Sequence, residues 1–366
     1  MEYIKSQKLK PGDTVAIVSP SWGGPSLFPH VYENGLKILK RWGLKIKEMP
    51  SARKEADYLW ANPEFRARDI NNSFADKNVK AIFTSIGGDD SVRILPFLDK
   101  RIIQNNPKIF LGFSDATTLH TYCNINGLVT FYGPSIMAGF SQMESLPPRF
   151  EQDVKKMLFG VSDDYIFKGY DRHCEGYEDW SKKENVGKTK KMIKNKPWNF
   201  IQGQGVVNGK LFGGCIEVLE FLKGTEFWLK KNFWKNKILF LETSEDKPSV
   251  TQVRDCLRNY GMQGILKELK ALLFGRARSY SENEKNELND VIFQVVNREF
   301  GLKKLPVVTE MDFGHTDPQF VLPIGVKARI DCVNKKFCLI EQWLEQEIRS
   351  LGFGAFTPQP PAPTPR

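Results

Sequence analysis

The chain has 366 residues, 41% hydrophobic and 26% charged, which is enough apolar material for a core and enough length for two domains. No apolar run nears the ~20 residues that span a bilayer, and Met1 to Ser6 lack a signal-peptide stretch, so a cytoplasmic protein without a membrane partner is expected. The net charge is +10, yet no RNA- or DNA-binding motif accompanies it, and polymeric nucleic acid is not an expected partner.

The first part alternates strand and helix. Thr14 to Pro20 is a short buried strand that ends in a Ser/Pro/Gly loop. Tyr32 to Trp42 has the helical spacing of Leu36, Leu39 and Trp42 and stops at Gly43. Leu44 to Met49 is a second strand, and Pro63 to Asp76 a helix with Phe65, Ile70 and Phe74 on one side. Val79 to Ile86 is a strand stopping at Gly87-Gly88, and Pro107 to Phe113 another, stopping at Ser114. This alternation predicts an α/β fold with a parallel, flavodoxin- or Rossmann-like sheet. Ligands of such sheets sit beyond the carboxyl ends of the strands, where Ser19, Gly87-Gly88 and Ser114 fall.

Residues 168–204 break the pattern with a polar, lysine-rich stretch carrying Tyr170, Tyr177, Trp180 and Trp198, read as an insertion between domains. The second part restarts at Gly205. Cys215 to Leu222, Val250 to Tyr260 and Glu282 to Glu299 read as helices, and Lys237 to Leu241, Leu269 to Phe274 and Pro306 to Met311 as strands. Val321 to Asp331 and Lys336 to Ile340 read as a closing antiparallel pair. The expected units are 1–167, the insertion 168–204, a smaller α/β unit over 205–353, and a disordered Pro-rich tail over 354–366.

Three hydrophobic runs break at residues with catalytic chemistry. Ser114 follows a strand and a Gly and precedes a helix over Asp115 to Asn124, the turn that exposes a nucleophilic hydroxyl beside helix-start N–H groups. The same pattern fits an N-cap serine, and Ala116 stands where the familiar Gly-x-Ser-x-Gly turn ends in glycine. Gly87 and Gly88 let backbone approach a ligand closely, and the N–H groups of Gly88 and Asp115 are candidates for an oxyanion hole. The competing reading is a plain turn capped by Asp89 or Asp90.

Glu242 ends a buried strand and needs a donor, a histidine or one of many lysines, unless it is simply exposed at the strand end; Glu245 and Asp246 are nearby alternatives whose more polar surroundings suggest exposure. His315 lies in a tight Gly/Asp/Thr/Pro turn. Its rival His120 sits six residues after Ser114 on the same helix, turned away from it, and reads as structural. Serine, histidine and glutamate together make an acyl-enzyme hydrolase. In the insertion, lysines between Trp180 and Trp198 either attract a phosphate-bearing, base-stacking ligand or are simply solvated. Six cysteines without a CxxC pair read as reduced thiols. Four histidines without HxH, HExxH or a Cys/His cluster give no reason to expect a metal or a cofactor.

As a set, Lys10-Pro11-Gly12-Asp13-Thr14 through Ser21, Ile86-Gly87-Gly88-Asp89-Asp90-Ser91, Gly112-Phe113-Ser114-Asp115, Leu211-Phe212-Gly213-Gly214-Cys215, Leu241-Glu242 and Gly314-His315-Thr316 resemble peptidase family S66. That family holds the murein L,D-carboxypeptidases and the microcin C self-immunity (MccF-like) proteins. The resemblance, over about residues 5–350, implies a Ser114–Glu242–His315 triad, an active site between two α/β domains, and a homodimer. The Gly-Gly-Asp-Asp-Ser run, the segment Gly213 to Leu219 and the insertion resemble the MccF-like branch. That branch implies hydrolysis between an aminoacyl or peptidyl group and a nucleotide, with Trp180 or Trp198 stacking on the base. Gly87, Cys215 and Glu217 join them as expected substrate-binding residues. The alternatives are murein tetrapeptide carboxypeptidase action and a nucleotide-binding protein without catalysis.

Overall fold

The computed structural model describes residues 2–160 and 162–345; the tail expected to be disordered lies outside them. Five strands open the chain: β1 Thr14–Val18, β2 Lys45–Glu48, β3 Val79–Thr84, β4 Ile109–Gly112 and β5 Thr130–Tyr132. They lie in the order β5-β4-β3-β1-β2, every pair parallel. β1 and β4 are buried almost throughout, as a sheet covered on both faces requires. Helices Pro29–Arg41 and Pro63–Ala75 each place Pro in the first turn, where its missing N–H costs nothing.

The remaining strands are β6 Tyr165–Phe167, β7 Arg172–His173, β8 Ile193–Lys194, β9 Asn199–Gln202, β10 Val206–Cys215, β11 Lys237–Glu242, β12 Ala271–Gly275, β13 Val307–Met311, β14 Leu322–Ile324, β15 Lys327–Asp331 and β16 Lys336–Leu339. β10 to β13 form the parallel centre of a second sheet, flanked by antiparallel β15, β16 and β6 on one side and β9 on the other. The helices Val250–Met262 and Glu282–Phe293 both start with complete capping boxes, at Ser249 and Ser281. The helix expected to run on to Glu299 changes to π-helical winding over Gln294–Glu299.

Two strands trade sheets. The segment read as one strand, Val321 to Asp331, breaks at Gly325, whose φ is +98°. Its first half, β14, pairs antiparallel with β5 of the first sheet, and its second half, β15, pairs with β10. Conversely β6, which precedes residue 168, pairs with β16 of the second sheet. The 168–204 insertion also has structure of its own. β7 and β8 pair, β9 adds an edge to the second sheet, and Cys174 and Asp317 exchange backbone hydrogen bonds of 2.7 and 3.0 Å. The insertion is therefore fastened to the loop that carries His315.

The Gly87–Ser91 turn is held from behind. Arg66, wholly buried, grips Asp90 with two bonds of 2.7 and 3.0 Å, so Asp90 is an ion-pair partner rather than a helix cap. Removing the guanidinium leaves a poorly hydrated carboxylate with only exposed Arg93 and Ser21 beside it. We expect Arg66→Met to cost about 2 kcal/mol in denaturant unfolding; a loss below about 0.5 kcal/mol, the range of ordinary surface changes, would show that the pair does not anchor this turn.

Candidate active site

β4 delivers Ser114 at its carboxyl end, and the residue takes φ +61° before the helix Thr117–Ile125 begins. A non-glycine residue there is strained by about 1–3 kcal/mol, and the strain turns the side chain out of the sheet. Tyr132 and His120 hold the turn. Ser114 N–H donates to Tyr132 Oη at 3.1 Å. The buried His120 ring bonds Gly112 O at 2.8 Å and Thr130 Oγ1 at 2.9 Å, a structural place as its spacing implied.

Glu242 ends β11 with no exposure at all. Its Oε1 accepts from Tyr132 O–H at 2.5 Å, and its Oε2 lies 2.7 Å from His315 Nδ1. His315 Nε2 lies 3.0 Å from Ser114 Oγ. Gly314, at φ +96°, makes this fit possible, because a Cβ there would stand 2.6 Å from Glu242 Oε2. Behind the loop, buried Arg276 bonds Asp312 at 2.7 Å and Thr316 at 3.2 Å. Tyr132 was not anticipated from sequence; its one signal is that it, too, ends a strand of the parallel sheet.

The two glycines serve different contacts. A Cβ on Gly87 would lie 3.2 Å from Ser114 Oγ and 3.6 Å from Asp115 N, so glycine leaves the nucleophile uncrowded. One on Gly88, at φ +148°, would strike Ser21 Oγ at 2.1 Å. Among the described residues neither Gly88 N–H nor Asp115 N–H has an internal acceptor. The Asp115 carboxylate is turned away and accepts from Ser91 N–H at 2.8 Å.

The cavity over Ser114 measures about 280 Å³, and its lining includes Trp22, Tyr177, Glu245, Arg278, Asp317 and Gln319. Four expected binding residues do not reach it. Trp180 is buried beneath Tyr177, ring on ring at 4.0 Å, and meets Phe28 edge-on. Trp198 packs on Phe320 and donates to Asp312 at 2.8 Å. The indoles have turned back onto the body of the protein because each finds an aromatic or carboxylate partner there. Cys215 is buried beside Glu242 in the sheet. Glu217 accepts from Ser244 N–H at 3.0 Å and Oγ–H at 2.7 Å, so it fixes the loop after β11 that carries Glu245.

The LD-carboxypeptidase N-terminal domain matches residues 15–133, and the LD-carboxypeptidase C-terminal domain matches residues 208–330. The chain belongs to the LD-carboxypeptidase family, peptidase S66. It is accordingly an enzyme, a serine hydrolase. Among LD-carboxypeptidase relatives, it is 28% identical to the microcin C7 self-immunity protein MccF of Escherichia coli, over 92% of this chain and 95% of that one. It is 26% identical to the Bacillus subtilis protein named "Probable murein peptide carboxypeptidase", over 90% and 92%. The fold matches MccF in complex with aspartyl sulfamoyl adenosine at a TM-score of 0.83 (26% identity, 93% of this chain and 100% of that one). It matches an MccF-like protein from Streptococcus pneumoniae in complex with AMP at 0.80 (27%, 90% and 98%).

In this member of the family, His315 Nε2 has a second neighbour, Glu245 Oε2 at 2.9 Å, from a side chain half exposed. Burial lowers the His315 pKa, but Glu242 and Glu245 outweigh it and hold the group up at about 10. The charged imidazole then stabilises the fold below its ordinary value of 6.5, and that contribution is lost as pH rises toward about 10. An imidazole must be neutral to take a serine proton, so kcat/KM rises with pH across that window. Glu245→Gln, which removes one of the two carboxylates, is expected to move the rising limb of the pH–rate profile to lower pH. An unmoved limb would exclude Glu245 from control of His315. Tyr132→Phe removes a donor from Glu242 and an acceptor from Ser114 N–H together. A fall in kcat of about tenfold, with the fold intact by circular dichroism, is expected; unchanged kcat would reduce Tyr132 to packing.

Proposed function

We propose that the enzyme hydrolyses the acyl bond joining an aminoacyl or peptidyl group to a nucleotide, through a Ser114–His315–Glu242 triad. The observation that carries the reading is the unbroken line of contacts from Glu242 through His315 to Ser114 Oγ, at 2.7 and 3.0 Å. Ser114 Oγ attacks the acyl carbon as its proton passes to His315 Nε2. Glu242 orients the ring and stabilises the imidazolium. The Gly88 and Asp115 N–H groups, without other acceptors, receive the oxyanion; one such donor is worth about 3 kcal/mol. His315 returns its proton to the leaving group, and the acyl group stays on Ser114. Water then gives its proton to His315 and attacks the ester, which frees the acid and restores Ser114.

The cavity's chemistry supports an aminoacyl group. Asp89, Glu245, Asp246 and Asp317 line it against Arg278 and His315, four acids to two basic groups, which suits an ammonium. Asp317 is 5% exposed and, among the described residues, its carboxylate takes a single 3.3 Å bond, from Gln319, whose own Oε1 has no partner among them. We assign the aromatic contact with the leaving group to Tyr177, backed by Trp180, in place of Trp180 itself. The relatives solved with aspartyl sulfamoyl adenosine and with AMP support a nucleotide-bearing substrate. The cytoplasmic setting and the homodimer implied by the family belong to the same reading.

The test is product analysis by mass spectrometry with an aminoacyl sulfamoyl adenosine and a murein tetrapeptide in parallel. Free amino acid and sulfamoyl adenosine are expected from the wild type, and none from folded Ser114→Ala. Loss of terminal D-alanine from the tetrapeptide alone would assign the enzyme to murein peptides. Cleavage by Ser114→Ala would exclude the triad.

A further inference from the structure

A second cavity, about 860 Å³, lies at the opposite end of the strands that carry the catalytic acid. Pairing places Lys210 opposite Lys237 across β10 and β11, and Lys327 opposite Lys210 across β15 and β10. Lys270 continues the row, its N–H donating to Lys237 O at 2.7 Å just ahead of β12. Four lysines thus stand side by side, three at paired positions of β15, β10 and β11 and the fourth just ahead of β12, a row of about 14 Å at ~4.8 Å per strand. All four line the cavity, with Lys230 and Lys235 at its wall and Glu226 the only acid among the described residues of the lining.

Like charges directly opposite one another in a sheet are destabilising. Lys237 makes the arrangement harder to keep, since the residue is only 5% exposed. Its ammonium rests on the rings of Phe233 and Tyr3, 4.4 and 4.9 Å from their centroids, and donates to Tyr3 Oη at 2.9 Å. No carboxylate pairs with it among the described residues. The nearest carboxylate in the described part of the sheet, Glu341, pairs with Lys5 at 2.6 Å and takes the Lys327 backbone N–H. A buried ammonium without a counter-ion is costly, and burial with Lys210 alongside lowers the Lys237 pKa to about 7.

We propose that this cavity is a second ligand site, for an oligophosphate. Its phosphoryl groups lie along the lysine row, with Lys237 at the floor and Lys210, Lys270 and Lys327 beside it. Lysine serves phosphate as a compact point charge with three rotatable donors, and a row of four suits an anion of several charges. The ligand supplies the counter-charge that Lys237 lacks among the described residues, and its phosphates replace repulsion between neighbouring strands with shared attraction.

The test uses the full-length protein and tripolyphosphate, followed by calorimetry and thermal unfolding, with sulfate at matched ionic strength as control. Saturable one-per-chain binding and a raised Tm are expected, with sulfate far weaker. Lys237→Met is expected to bind about tenfold more weakly, the loss of one charge-assisted contact. Without ligand, the same variant is expected to be at least as stable as wild type, because an unpaired buried charge has gone. Should Lys237→Met not fold, exposed Lys327→Gln replaces it, with the same direction expected. ATP binding more tightly than tripolyphosphate would make the ligand a nucleotide; equal binding would make it a free oligophosphate, and either supports the site. No saturable binding, equal binding of sulfate, or full affinity in the lysine variants would overturn it. So would a change of oligomeric state in those variants with tripolyphosphate inert, which would make the lysine row a contact between copies.

Discussion

Glu242 sits where no water reaches, so every hydrogen bond its carboxylate needs must come from protein. One donor, Tyr132, comes from the first sheet, and the other, His315, from a loop of the second. Tyr132 also accepts the Ser114 N–H, and His315 also meets Ser114 Oγ. The result is a closed ring running from the serine amide through tyrosine, glutamate and histidine to the serine hydroxyl. Such a ring has one comfortable geometry. It sets where the two sheets meet, and β14, paired into the first sheet from the second half of the chain, ties them mechanically at the same place.

Side-chain geometry this tight depends on backbone that has given way around it. Ser114 occupies a left-handed conformation that no serine prefers, and Gly314 another that brings its backbone against Glu242. The strain is borne by neighbours: Arg66 through Asp90 on one side, Arg276 through Asp312 and Thr316 on the other. Both guanidiniums are buried in planar, multiply bonded contacts, for which lysine would be a poor substitute. The site is rigid on these flanks and open on the third, where Glu245 reaches His315 from an exposed loop.

What could be read in the sequence followed from local rules. Ser114, Glu242 and His315 each lie where a hydrophobic run ends, and a parallel sheet gathers such ends on one edge; that ends from two different sheets meet as one triad was implied only by the resemblance to the S66 family. Tyr132 obeys the same rule, but a tyrosine closing an apolar strand looks like core until its hydroxyl partners are known. β14 and β15 read as one strand because Gly325 gives no sign of which sheet each half will join. Trp180 and Tyr177 were both visible as aromatics. Which one covers the other is decided by Phe28, about 150 residues earlier in the chain, and no local pattern carries that.

β11 states the physical contrast in six residues. At its carboxyl end Glu242 is buried and doubly paired, while at its amino end Lys237, also buried, rests on two aromatic faces and a phenol. Both ends carry an ionisable side chain, and they stand about 17 Å apart on the same strand. Folding stability alone would favour apolar residues at each, since a desolvated charge rarely repays its burial. The carboxylate end is explained by the serine and histidine it organises. The same reasoning applied to the ammonium end asks for a partner of opposite charge, and the neighbouring strands, which present three more lysines rather than an acid, show that the partner is not built into the sheet.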